Sequence, residues 1–167
     1  MSKTKRIKLK PTKERLLAFS NEHLFYEVSM LYGTAEALRI GLENQFQVNV
    51  YLESFVIHAN IVLDFLFDIW QKEDDAIASD YIDKDKDWKA MMPDSESYFQ
   101  EIRDRRHKEV AHLSYKRLDV RIEEKGWKFL QITAQIKSMV NKFLDEADSE
   151  VLHSRMYELR STVKKTS

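Results

Sequence analysis

Residues 47–71 read QVNVYLESFVIHANIVLDFLFDIWQ, and this stretch decides the fold class. On a helix of this length, aliphatic and aromatic residues would cover most of the circumference. Four polar residues follow steps of seven, four and four, which puts them on one narrow stripe: Glu53, Asn60, Asp64 and Asp68. The pattern predicts a central helix covered by neighbours on most sides. His58 lies off the stripe, and we expect a hydrogen-bonded core or boundary histidine there rather than a ligand.

A second long helix is predicted from about residue 21 to residue 44, with Ser20-Asn21 as its N-cap. Its apolar residues recur every three or four positions, close to a heptad: Leu24, Val28, Leu31, Ala35, Leu38 and Leu42. Such a stripe packs against a partner helix, either in this chain or in another.

The rest of the chain is also predicted to be helical, because three glycines and two prolines are too few for a β-sandwich. Residues 73–93 are predicted as a charged connection with one short helical turn near 76–81 and with Trp88 and Met91 facing inward. Further helices are expected from residues 93–95 onward, over 127–148 and over 150–163, with a loop at 118–125. The sequence therefore predicts an all-α fold, a single-domain bundle of four to five helices.

The first 18 residues differ from the remainder in charge. They carry seven cations and one acid, which predicts a basic, flexible tail over residues 1–18 and a helical domain over 19–167. The alternative is that this basic segment forms an arm that binds RNA phosphates.

Composition excludes several classes of protein. The net charge is −1, so any surface that attracts nucleic acid has to be local, and the absence of cysteine excludes disulfides and thiol catalysis. The acidic residues within 48–70 argue against a membrane span, and no apolar run follows the basic N-terminus, so we expect a cytoplasmic protein. We expect no cofactor or metal, since the aspartates of 80–87 lack the glycine and distal glutamate of an EF-hand loop and no glycine-rich phosphate loop is present.

Residues 103–112 read RDRRHKEVAH and place four cations, two acids and two imidazoles in about three helical turns. On a continuous helix, Arg105 and His112 differ by only about 20° around the axis, with Lys108 on the same face. An imidazole can move a proton near neutral pH and a guanidinium can hold a phosphate, as metal-free phosphodiester cleavage requires. The plainer alternative is a solvated helix with ion pairs four residues apart and a buried, hydrogen-bonded His112.

The segment Arg106-His107-x4-His112 resembles the motif of the HEPN superfamily, which has an arginine, a polar residue and then a histidine a few positions on. Three further pieces are similar to an uncharacterised bacterial branch of this family: ESFVIHA at 53–59, LDFL at 63–66 and AHLSY at 111–115. The resemblance spans roughly residues 20–145 and implies a HEPN-like helical bundle.

The resemblance also implies a metal-independent endoribonuclease, of toxin or phage-defence type, that acts from the cleft of a homodimer. Arg106 would bind the scissile phosphate, His112 would act as acid or base, and His107 would support them. The neighbouring groups expected to contact the RNA are Arg103, Arg105, Lys108 and Tyr115.

Two alternatives stay open at this point. Helical geometry favours Arg105 as the key arginine, whereas the family motif favours Arg106. The family also contains non-catalytic modules, so the chain is alternatively an interaction module that binds itself, an antitoxin or a nucleotidyltransferase-type partner. A helical protein unrelated to this family is a further alternative for the function.

Overall fold

The computed structural model describes residues 11–69, 72–93, 99, 102–103, 115 and 126–160. Regular structure in these ranges is helical, which confirms the all-α fold that the sequence predicts. The α-helices are α1 (Lys13–Phe19), α2 (Phe25–Ile40), α3 (Gln45–Leu66), α4 (Trp88–Met91) and α5 (Phe129–Glu146). A π-helical turn (Ser20–Leu24) joins α1 to α2, and 3-10 turns cover Ala78–Tyr81 and Ser154–Leu159.

The first helical unit begins earlier than predicted. Thr12 is the N-cap, its side chain accepting from the Arg15 backbone N–H at 3.3 Å. The Ser20 hydroxyl instead donates to the Leu16 carbonyl at 2.9 Å, so Ser20 lies within the helical run and is not an N-cap. Residues 13–18 of the predicted tail are therefore helical, with Leu16 buried. Residues 1–10 of that tail lie outside the described part of the chain.

The heptad-like stripe of α2 is buried within this chain. Leu24, Val28, Leu31 and Ala35 lie in the core, and α2 packs along α3. The turn between them uses Gly41 at φ +92, a backbone conformation that suits glycine. The partner helix that the buried part of the stripe calls for is thus α3.

Helix α3 is less completely covered than its sequence suggests. Most residues of its second half, between Phe55 and Leu66, are buried, as expected for a central helix. Tyr51 and four aliphatic or phenyl side chains of α3 remain exposed, and the four that share one side form what we call the α3 outer face: Phe46, Val50, Ile57 and Ile61. At 100° per residue they lie within about 60° of one another around the axis. The prediction of a helix covered on most sides is wrong for this face, because its four side chains remain exposed to solvent.

Helix α3 also ends five residues before the predicted position, at Leu66. Asp68 takes a left-handed φ of +53°, which stops the helix, and its carboxylate accepts hydrogen bonds from Ser79. The Leu66 carbonyl, which has no partner within the helix, accepts from Trp88 Nε1 at 2.7 Å. Trp88 is buried, as predicted, and the short turn expected near 76–81 is present as a 3-10 turn.

The C-terminal part packs on the aromatic core. Phe143 of α5 makes edge-to-face contacts with Phe65, Tyr81 and Trp88. The helix predicted over 150–163 is wrong within the described residues, which hold only the 3-10 turn Ser154–Leu159. The His153 backbone N–H donates to Ser20 Oγ at 3.0 Å, so it is not available for an α-helical bond.

Candidate functional site

Most of the residues singled out by the motif lie outside the described part of the chain. Arg105, Arg106, His107, Lys108 and His112 belong to this group, so their predicted roles stay predictions. The structure places two of the predicted substrate contacts: Arg103, which precedes the motif, and Tyr115, which follows it.

Arg103 and Tyr115 lie in opposite surroundings. Tyr115 is 92 % exposed, whereas the Arg103 side chain is only 13 % exposed and contacts α3. The neighbouring Ile102 and Phe99 are buried in the core. The chain thus passes from the core just before the motif to solvent just after it.

Asp64 of α3 holds Arg103 in place. Its Oδ1 accepts from Arg103 Nε at 3.0 Å, and its Oδ2 accepts from Asn60 Nδ2 at 2.8 Å. Asn60 and Asp64 belong to the polar stripe that the sequence of α3 shows, so this cluster explains two of the four polar residues in an otherwise apolar helix. The ion pair joins residues 39 positions apart in the chain.

Two polar atoms of this cluster are buried without a hydrogen-bond partner: Asn60 Oδ1 and Arg103 Nη2. One is an acceptor and the other a donor, and each belongs to a side chain whose other end binds Asp64. Buried polar groups are usually satisfied, since an unmade hydrogen bond costs about 1–3 kcal/mol. Asp64 therefore lies at the centre of a polar cluster that is tightly packed but not fully bonded.

A second partly buried polar pair involves a residue six positions earlier on α3. His58 Nδ1 lies 2.6 Å from Glu27 Oε2 of α2, and Tyr26 packs edge-on against the imidazole at 5.7 Å. The prediction that His58 is a hydrogen-bonded core or boundary histidine is confirmed. Sequence reasoning missed Glu27. The signal was available, because Glu27 lies three residues after Leu24 and four before Leu31, at the edge of the apolar stripe.

Two tyrosine hydroxyls are also buried. Tyr81 donates to the Leu16 carbonyl at 3.1 Å, whereas the Tyr32 hydroxyl has no hydrogen-bond partner. Burial raises the pKa of Tyr32 and of Tyr81 above the usual value for a phenol. The Lys137 ammonium lies 5.3 Å from the centre of the Tyr32 ring, a cation–π arrangement.

A cavity of about 450 Å³ opens beside these ion pairs. Its walls come from the π-helical turn, from the second half of α3 and from residues 72–76, and they include both Glu27 and Asp64. Another cavity, of about 520 Å³, lies between the start of α1 and residues 79–85. In the described ranges, no three histidine, aspartate or glutamate side chains are grouped so as to hold a metal ion.

Comparison with known proteins adds no assignment: no family model, curated protein or solved structure matches this chain. Among the described residues, no helix combines the length and apolarity that crossing a membrane requires.

Proposed function

We propose that this protein is a metal-independent endoribonuclease of HEPN type, of the toxin or phage-defence class, that acts from the cleft of a homodimer. The observation that carries the proposal is the spacing Arg106-His107-x4-His112, which supplies a guanidinium and two imidazoles within seven residues. No other stretch of the sequence places two imidazoles close to a phosphate-binding cation.

The proposed reaction uses the RNA's own 2′-hydroxyl as nucleophile. His112 removes the proton of that hydroxyl or delivers one to the leaving oxygen, and the 2′-oxygen attacks the adjacent phosphorus. The bond from phosphorus to the 5′-oxygen breaks, and the 5′-oxygen takes up a proton. The products are a 2′,3′-cyclic phosphate and a 5′-hydroxyl. Arg106 stabilises the charge that builds up on the phosphate oxygens, and His107 supports this pair.

The described structure supports this proposal at the edge of the motif. Arg103 lies three residues before Arg106 and is tied to α3 through Asp64, while Ile102 is buried. Tyr115 lies three residues after His112 and is exposed. A catalytic group is effective when its backbone is held in place, and this anchor restrains the chain next to the motif.

The test is cleavage of a broad panel of RNAs by the purified protein in EDTA. We expect cleavage with cyclic phosphate ends, and we expect His112→Ala to abolish it while the circular dichroism spectrum and Tm stay unchanged. His23→Ala is the matched control, since His23 is an exposed histidine of the π-helical turn. Intact RNA across the panel at high protein concentration would remove the support for a nuclease.

A second function is favoured by the α3 outer face. Exposed apolar side chains that share one helix face are typical of surfaces that bind another protein. In this alternative the protein is a non-catalytic module, which binds itself or a nucleotidyltransferase-type partner. Capture of a partner by the wild-type chain but not by Ile57→Glu, together with intact RNA, would favour the module over the nuclease. Glu22→Gln is the control, since Glu22 is exposed in the π-helical turn and lies outside the α3 outer face.

A further inference from the structure

The cavity of about 450 Å³ has a shape and lining that the proposed nuclease does not use. It lies between Phe19 and Leu24 at the ends of the π-helical turn, the α3 segment from Ile61 onward, and the connection over residues 72–76. Pockets for small molecules typically measure about 300–1,000 Å³ and are mostly apolar with a few polar groups. This cavity meets the size criterion.

The floor of the cavity is apolar. Leu24, Val62 and Phe65 line it and are almost completely buried, and Phe19 and Ile69 complete the wall. These side chains can cover an aromatic or branched aliphatic body, which would gain free energy on leaving water.

The polar lining of the cavity has one predominant charge. Four carboxylates and one ammonium contribute to it: Glu27, Asp64, Asp74, Asp75 and Lys72. With all five ionised, the lining carries three more negative charges than positive ones. A cleft with low-dielectric walls concentrates such a field, so it attracts cations and repels anions.

The carboxylates differ in how far they are already engaged. Asp64 is bound to Arg103 and Asn60, and Glu27 Oε2 accepts from His58 Nδ1. Asp74 is exposed at the mouth and makes no hydrogen bond or ion pair with a described residue. Asp74 is therefore the carboxylate best placed to meet an incoming charge.

The arrangement of the lining carboxylates favours a bulky organic cation over a metal ion. Within the described ranges, no three carboxylate or imidazole groups converge as a metal ion requires. A bulky cation needs only one or two carboxylates at the rim and an apolar wall for its body. The π-helical turn is an independent feature of the same wall, and such turns recur at functional sites because the inserted residue widens the helix.

We propose that this cavity binds a small organic cation: an ammonium or guanidinium group carried on an aromatic or branched aliphatic body. The body packs on the floor formed by Leu24, Val62 and Phe65. The charged group lies beside Asp74, and Glu27 lines the same cavity.

The experiment compares three probes of matched shape on the full chain: 4-phenylbutylamine, 4-phenylbutanol and 4-phenylbutyrate. Isothermal titration calorimetry should show the amine binding up to about fivefold more tightly than the alcohol, as an ion pair at an exposed rim provides. The carboxylate should bind least. Raising the salt concentration should weaken the amine alone, since ion pairing at an exposed rim is screened.

Two variants connect the binding to the cavity. Asp74→Asn should reduce the affinity for the amine to that for the alcohol, while Glu53→Gln, on α3 but outside the cavity, should change neither. Ile61→Trp puts a larger ring on the partly exposed wall and should abolish binding of both probes. Equal affinities for amine and alcohol, amine binding that survives Ile61→Trp, or no binding of any probe to the folded wild-type chain would each overturn the proposal.

Discussion

Replacing Asp64 with asparagine tests the ion pair that ties the chain before the motif to α3. Arg103 Nε lies 3.0 Å from Asp64 Oδ1, and the Arg103 side chain is only 13 % exposed. The substitution keeps the shape of the side chain but removes its charge. The guanidinium is then left in a largely dry site without a counter-ion, which is the costly way to break an ion pair.

The unfolding free energy that Asp64→Asn is expected to lose lies between the values measured for buried and for exposed ion pairs. Breaking a buried pair costs about 3–5 kcal/mol of unfolding free energy, and an exposed pair contributes about 0.2–1 kcal/mol. Because Asp64 is 32 % exposed, water replaces part of the interaction. We therefore expect Asp64→Asn to lose about 2–3 kcal/mol, which for 167 residues lowers Tm by roughly 4–12 °C.

The assay is urea unfolding of the wild type, Asp64→Asn, Arg103→Met and the double variant, followed by circular dichroism. Arg103→Met should lose less, about 1 kcal/mol, since Asp64 keeps Asn60 and solvent as partners. The double variant should lose less than the sum, with a coupling of about 1–2 kcal/mol. A loss below about 0.5 kcal/mol for Asp64→Asn, or strictly additive variants, would refute the idea that this pair anchors the segment.

Three further predictions concern stability. Trp88→Phe should lose about 1–3 kcal/mol in thermal unfolding, because the Leu66 carbonyl loses its donor; an unchanged Tm would contradict this role. Phe143→Ala should lose about 3–5 kcal/mol, since it empties the centre of an aromatic cluster, and a loss under 2 kcal/mol in urea unfolding would show that the cluster collapses to fill the space. Tyr32→Phe should be neutral or stabilising, because the buried hydroxyl has no partner. Burial raises the pKa of Tyr32 in the folded state, so its contribution to stability is complete below about pH 10 and is lost as pH rises above that value, where the unfolded chain ionises first. Unfolding at several pH values should therefore show a shallower alkaline decline for Tyr32→Phe, and identical slopes would contradict the assignment.

Two predictions that rest on helical periodicity are confirmed by the structure. Leu24, Val28 and Leu31, which follow one another at four- and three-residue spacing, are buried as predicted. The inward side of the second half of α3 is buried as well. These features depend on the helical repeat alone, because residues at that spacing share a face whatever the rest of the chain does.

The predictions that were wrong concern features that depend on contacts between distant segments. Ser20-Asn21 has the composition of an N-cap, but Ser20 bonds to Leu16 inside the helix and to His153 across the chain. The α3 outer face has the same composition as the buried side of the helix. Nothing in the sequence of α3 shows which side α2 and α5 occupy.

The features of the candidate site fall into the same two groups, those predicted from local sequence and those that depend on tertiary contacts. The sequence by itself determined the all-α class, the positions of the long helices and the motif around Arg106 and His112, because each depends on residue type and local spacing. Only the tertiary structure paired Arg103 with Asp64 and His58 with Glu27, since these partners are 39 and 31 residues apart. Such pairs form when packing removes charged groups from water and leaves each with one reachable counter-ion, and that is decided by how the helices meet rather than by their sequences.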